Sequence, residues 1–204
     1  PIRCTQNPTM GEEWRRRWHP ERIAPKTSDE SILIIGAGPA GLEAARALGQ
    51  RGYGVTLTDK ATEVGGRVVQ ERRLPGLAEW GRVVDYRIYQ ISQMANVELY
   101  LESRITPDFL EEFAADHIAL ATGAHWTEDG IGRQNPLGIK ISVGAQVLTP
   151  DDIMAGVVPE GPVVLFDDDH FYMGGAIAEQ LCRSGCDVTL VTPASEVSSW
   201  TRNT

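Results

Sequence analysis

The sequence is poor in cysteine, with three in 204 residues, at positions 4, 182 and 186. An odd and scattered set makes no disulfide framework, so a reducing, cytoplasmic compartment is expected. Long apolar runs are missing as well. No stretch approaches the ~18 residues that a membrane span needs. The first twenty residues are polar and rich in Arg and Trp, unlike a secretory leader. Basic charge is in deficit, with 19 Lys and Arg against 28 Asp and Glu and a net charge of −9. That balance argues against a nucleic-acid surface and against electrostatic attachment to an anionic membrane. What remains is ordinary for a globular protein, 42% apolar and 23% charged, at a length that suits one large or two small domains. The chain starts at Pro1 rather than Met and ends on "SSWTRNT", soon after a strand-like "DVTLVTP". Both features suggest a piece of a longer protein.

The most informative stretch is "SILIIGAGPAGLEAARALGQRGYGVTLTDK", residues 31–60. Ile32–Ile35 is a continuous apolar run, as in a strand covered on both faces. Gly36, Gly38 and Gly41 then match G-x-G-x-x-G, with Ala37, Pro39 and Ala40 between them. Residues 39–50 are helix-forming, Gly52 stops the helix, and Val55–Thr58 is a second strand followed by Asp59 and Lys60. A strand, a glycine turn, a helix and a trailing acid together specify a dinucleotide or ADP site far better than the bare motif does. Gly36 permits a tight turn, Gly38 permits close approach of a diphosphate, and Gly41 permits close helix–strand packing. The helix N-terminus presents free N–H groups and a positive dipole end to phosphate. Asp59 can accept hydrogen bonds from ribose hydroxyls and would repel a 2′-phosphate. "EVGGRV", with Gly65, Gly66 and Arg67, offers a further close backbone approach and a guanidinium for a phosphate.

The expected fold class is α/β: a Rossmann-like FAD/NAD(P)-binding fold, a parallel sheet with helices on both faces, plus a truncated second Rossmann-like βαβ unit. Residues 1–30 form an irregular lead, with a short helix over Gly11–Trp18 and packing through Trp14 and Trp18. Residues 31–125 form the dinucleotide-binding domain. In it, "GLAEWGRVVDYRIYQISQM" predicts a helix over 78–94 with an apolar stripe of Val83, Val84, Ile88 and Ile91. Strands are expected at 97–101 and 118–121, the latter buried and preceded by a packing histidine, His117. Residues 126–158 are a linker that ends in a helix started by Thr149 and Pro150.

Residues 159–204 repeat the strand, turn, helix and strand plan in "VVLFDDDHFYMGGAIAEQLCRSGCDVTLVT". Here Asp167, Asp168, Asp169 and His170 occupy the phosphate-facing turn, with Asp167 near the place of the first loop glycine. Like charges at about 4 Å repel by ~1–4 kcal/mol, so this turn disfavours a pyrophosphate. A divalent metal on Asp167, Asp169 and His170 competes with a solvated or capping turn at a helix start, where Asp is stabilised in any case.

"CTQNPTMGEEWRRRWHPE", "ILIIGAGPAGLEAARAL", "VGGRV", "LPGLAEWGRVVDYR" and "ALATGA" together resemble the trimethylamine, dimethylamine and histamine dehydrogenases, iron–sulfur flavoproteins related to 2,4-dienoyl-CoA reductase. The resemblance runs over nearly the whole chain, loosely at residues 126–150. It implies a parent enzyme that oxidises an amine on FMN in a barrel, passes electrons to a [4Fe–4S] cluster, and hands them to an electron-transferring flavoprotein. It also implies a homodimeric parent, with the present region carrying ADP in place of a redox cofactor. Gly36, Ala37, Gly38, Pro39, Ala40 and Gly41 would line the diphosphate, with Gly66 and Arg67 nearby. Asp59 and Lys60 would lie at the ribose, the backbone near Ile105 at the adenine, and Thr122 and Gly123 would close the site. Cys4 matches the family's fourth cluster cysteine, whereas Cys182 and Cys186 match none. No catalytic residue is expected in this chain. Two other readings stand beside this one: an FAD-binding domain of a 2,4-dienoyl-CoA-reductase-like NADPH:flavin oxidoreductase, and a ligand-free scaffold.

Overall fold

The computed structural model describes residues 7, 10, 11, 14 and 23–203. Cys4, Trp18 and most of the helix expected over Gly11–Trp18 lie outside them. Trp14 is described and largely exposed. The chain divides into two compact units. The first comprises Pro1–Val69 and Glu79–Gly123, the second Gln70–Ala78 and Ala124–Thr204. The segment 126–158 falls within the second unit.

The first unit is built on four parallel strands: β1 (Ser31–Ile35), β2 (Gly54–Thr58), β3 (Val97–Tyr100) and β4 (His117–Leu120). Their order is β3-β2-β1-β4, that of half a doubly wound nucleotide-binding sheet. Ile32, Leu33 and Ile34 of the central strand are buried, as their unbroken apolar run predicts. One face carries Ile32, Ile34, Val55, Leu57, Val97, Leu99 and Ala119. Against it pack Leu42 and Ala45 of α1 (Pro39–Arg51) and Val84, Ile88 and Ile91 of α3 (Arg82–Ser92). Helix α1 starts on Pro39, whose missing N–H costs nothing there. It ends at Gly52, which takes φ 96°, a left-handed cap that suits glycine. A single turn, α2 (Val68–Glu71), and a 3₁₀ turn at Ala78–Gly81 precede α3, so the helix expected over 78–94 is split at Gly81. The short α4 (Pro107–Glu112) is capped by the Thr106 side chain.

Strand β4 departs from expectation. Only Ala119 faces the core, while Ile118 is partly exposed and Leu120 is 74% exposed. The physical reason is position, since β4 is an edge strand with one packed face. His117 likewise does not pack inside. It is exposed, 3.5 Å from Glu30.

In the second unit β5 (Val163–Phe166) and β6 (Val188–Val191) pair in parallel around α6 (Met173–Arg183). Val163, Leu165 and Val188 turn inward onto Met173, Ala176, Ile177, Leu181 and Leu74. The helix α5 (Pro150–Met154) begins as expected at Thr149, as a full capping box with Asp152. The Thr149 backbone N–H and hydroxyl both donate to Asp152 Oδ2 at 2.7 Å. They hold that carboxyl below its usual pKa, the backbone N–H contributing most. A 3₁₀ turn, Ser199–Asn203, follows β6. No helix among the described residues is long and apolar enough to cross a membrane.

Candidate functional site

The parallel topology gathers the predicted binding segments along one edge of the first sheet. Residues 36–41 follow β1, Asp59 and Lys60 follow β2, Ile105 lies beyond β3, and Thr122 and Gly123 follow β4. All four strands therefore deliver them at their C-terminal ends, where open α/β sheets place ligands. Hydrogen bonds tie the segments together. Gly36 N–H donates to Thr58 O at 2.7 Å, Ala121 N–H to Ile35 O at 2.8 Å, and Ser103 N–H to Asp59 O at 2.8 Å.

Two glycines of the motif, Gly36 and Gly41, each have a distinct steric reason. Gly36 takes φ 109°, and a β-carbon there would overlap the Ala121 carbonyl. A β-carbon at Gly41 would overlap the Gly36 carbonyl, so α1 can sit this close to β1 only without one. Gly38 is the N-cap of α1 and provides no side-chain cap. The first-turn N–H groups of Ala40 and Gly41 are thus left without a side-chain acceptor, at the positive end of a 13-residue helix. Gly65 and Gly66 fold against this turn. Gly65 N–H donates to Ala37 O at 2.8 Å, and the Gly66 α-carbon stands 4.0 Å from where a β-carbon of Gly38 would be. This brings Arg67, half-buried, to the head of α1, while Lys60 is exposed.

Asp59 is half-buried and engages the loop itself. Its Oδ2 accepts from Ala37 N–H at 2.6 Å and its Oδ1 from Ala61 N–H at 2.8 Å. Each carboxylate oxygen keeps a further lone pair for a hydroxyl. One signal for this contact was available: a short acid after β2 stands beside the glycine turn after β1 whenever the two strands are register-paired, as Ile35 and Thr58 are. A pair not foreseen in the sequence lies behind α1. Arg87 is buried on α3, with Nε 2.8 Å from Glu43 Oε2 at an angle too bent for a hydrogen bond, and its Nη1 donates to Val83 O. Helical spacing signals the burial of Arg87, which sits four residues from both Val83 and Ile91, but not its partner on α1. Burial pushes the Glu43 carboxyl up, but Arg46 and Arg87 outweigh it and hold the carboxyl below its usual range.

The second unit treats the equivalent position differently. Asp167 N–H donates to Val191 O at 2.8 Å, just as Gly36 N–H does to Thr58 O, so Asp167 is the counterpart of Gly36. The turn after it is longer: α6 starts six residues after Asp167, α1 three after Gly36. Asp167 is 4% exposed, and its Oδ1 accepts from the N–H groups of Asp169 and His170. Its carboxyl carbon lies 2.6 Å from where a β-carbon of Gly174 would be, in the first turn of α6. The protein's own carboxylate therefore occupies the helix head that an anion would need. Neither form weighed from the sequence is met: the turn is buried rather than solvated, and α6 has no side-chain cap, since Asp167 bonds N–H groups of the turn ahead of the helix. His170 is fully buried at φ 63°, and among the described residues no cluster of His, Cys, Asp and Glu has metal-binding geometry. Cys182 and Cys186 are free thiols.

The family model for an NAD(P)-binding Rossmann-like domain matches residues 34–101. The chain is 40% identical over 200 residues to the dimethylamine dehydrogenase of Hyphomicrobium sp. (strain x), covering 94% of this chain and 27% of that protein. Among solved structures it resembles histamine dehydrogenase from Rhizobium sp. 4-9, with 56% identity and a TM-score of 0.92 over 98% of this chain and 30% of the other. It also resembles the 6-hydroxypseudooxynicotine amine oxidase of Pseudomonas geniculata N1, with 52% identity and a TM-score of 0.92 over 99% of this chain and 30% of the other. The chain thus spans under a third of the length of these relatives. With a Rossmann-like sheet, and at this level of identity along nearly its whole length, it belongs to the trimethylamine, dimethylamine and histamine dehydrogenase family.

Proposed function

We propose that the first unit binds ADP as a structural, non-redox ligand within an amine-oxidising parent. The observation that carries this reading is the glycine cradle at the uncapped head of α1, with Asp59 at the end of β2. Gly36, Ala37, Gly38, Pro39, Ala40 and Gly41 hold the diphosphate, with Gly66 and Arg67 on its outer side. Asp59 orients the ribose, with Lys60 beside it, the backbone near Ile105 meets the adenine, and Thr122 and Gly123 close the site. The bound nucleotide supplies no chemistry. Its binding free energy ties together the loops after β1, β2, β3 and β4.

The parent oxidises an amine using FMN and a [4Fe–4S] cluster and passes electrons to an electron-transferring flavoprotein. Neither group fits this chain. Three cysteines cannot supply the four thiolates of a cluster, and the described residues form two Rossmann-type units without a barrel. Cys4 serves a cluster only together with other cysteines of the parent. The rival reading, FAD in the first unit and a nicotinamide nucleotide in the second, is opposed by Asp167, which fills the head of α6.

Calorimetric titration of the nucleotide-free chain with ADP and with 2′-phospho-ADP tests the reading. Saturable ADP binding at one site is expected, with the 2′-phosphorylated ligand at least about tenfold weaker because of Asp59. Absence of ADP binding, or equal affinity for the two, contradicts it.

A further inference from the structure

The second unit contains a cavity of about 710 Å³ at the C-terminal end of β5, bounded by the head of α6 and by the segment 126–148. That volume suits a small organic ligand. Its apolar wall includes Trp126, Ile139, Val164 and Phe166. Its charged lining is lopsided: Glu128, Glu160, Asp167, Asp168 and Asp169 face a single cation, Arg133, whose guanidinium lies over the Trp200 ring 4.5 Å from its centroid. Two of the carboxylates are buried with one oxygen each lacking a hydrogen-bond donor. Asp168 has a side chain only 8% exposed, with Oδ2 accepting from Gln134 N–H at 2.9 Å and Oδ1 without a hydrogen-bond donor, 3.5 Å from His170 Nε2. Asp167 Oδ2 is likewise without a donor. Buried carboxylates in a low-dielectric wall focus a negative potential into the space they line.

We propose that this cavity binds an amphipathic organic cation, an ammonium group on an apolar body. The sign of the lining excludes a nucleotide phosphate. The lack of a metal-binding cluster among the described residues and the extent of apolar wall disfavour a bare divalent ion. The site lies in the second unit and does not depend on the reading of the first.

The test uses the 204-residue chain with saturating ADP, so that the first unit is not in play. The probe is 2-phenylethylammonium, compared with its neutral analogue 2-phenylethanol and the anion phenylacetate, followed by calorimetry and by Trp126 fluorescence. The ammonium ion should bind at one site about tenfold more tightly than the alcohol, and phenylacetate should not bind. Val164→Trp, at a wall residue that is 71% exposed and so tolerant of bulk, should abolish binding. Asp168→Asn should weaken it about tenfold, and if that variant fails to fold, Glu160→Gln at the exposed rim should weaken it several-fold. Equal affinity for ammonium and alcohol, no saturation in the millimolar range, or binding untouched by Val164→Trp would each overturn the proposal.

Discussion

Two aspartates at related places in the two units do opposite things. Asp59 stands at the end of β2 and holds the Ala37 and Ala61 N–H groups, which leaves the head of α1 open. Asp167 stands at the end of β5, in the position of Gly36, and lies over the head of α6. An anion is stabilised at either helix head; in one unit it must come from outside, and in the other the chain supplies it. Replacing Asp59 by Ala removes the loop contact and the ribose acceptor together. Hydrogen bonds to charged groups are worth about 1.5–3 kcal/mol, so Asp59→Ala should weaken ADP binding roughly ten- to a hundredfold by titration. Asp167→Ala should leave ADP affinity in the first unit unchanged. It should lower stability by about 1–3 kcal/mol in urea denaturation, because the N–H groups of Asp169 and His170 lose their acceptor.

At the scale of elements, α1 is the piece on which the first unit depends. Its start is set by the contact of Gly41 with the Gly36 carbonyl. Gly41→Ala should therefore cost about 1–3 kcal/mol, read as a fall in thermal midpoint, with ADP affinity falling too because the helix head is displaced. Behind α1, the Glu43 carboxyl is held by Arg46 and the buried Arg87. Its pKa is depressed in the folded state. The stability it contributes is present above the unfolded value near ~4.3 and is lost as the pH falls through the lower folded value. Arg87→Met removes part of that coupling. The difference in urea midpoint between the native chain and Arg87→Met should therefore be larger at pH 6 than at pH 3, and a difference that does not change with pH would refute the assignment. In the second unit, Thr149→Ala should cost about 1 kcal/mol by loss of the capping box of α5.

At the scale of the molecule, much of the plan was legible because it rests on local chemistry. Apolar runs marked β1 and β5, glycines marked the turn after β1 and the end of α1, and Thr149 with Pro150 marked the start of α5. What escaped the sequence depends on which elements become neighbours. Leu120 reads as core and is exposed, because β4 takes the edge of the sheet. The spacing of Arg87 puts it on the apolar side of α3, but its pairing with Glu43 depends on how α3 packs against α1. The acidic turn was visible in the sequence, but the lodging of Asp167 against Gly174 was not, since it depends on the close approach of α6 to the end of β5. The central claim concerns the first unit, that its glycine cradle holds ADP rather than a redox dinucleotide. The most direct measurement is to denature the protein after gentle purification and identify the released nucleotide by chromatography and mass spectrometry. The account predicts ADP, near one per chain. Release of FAD would contradict it and return the first unit to flavin chemistry.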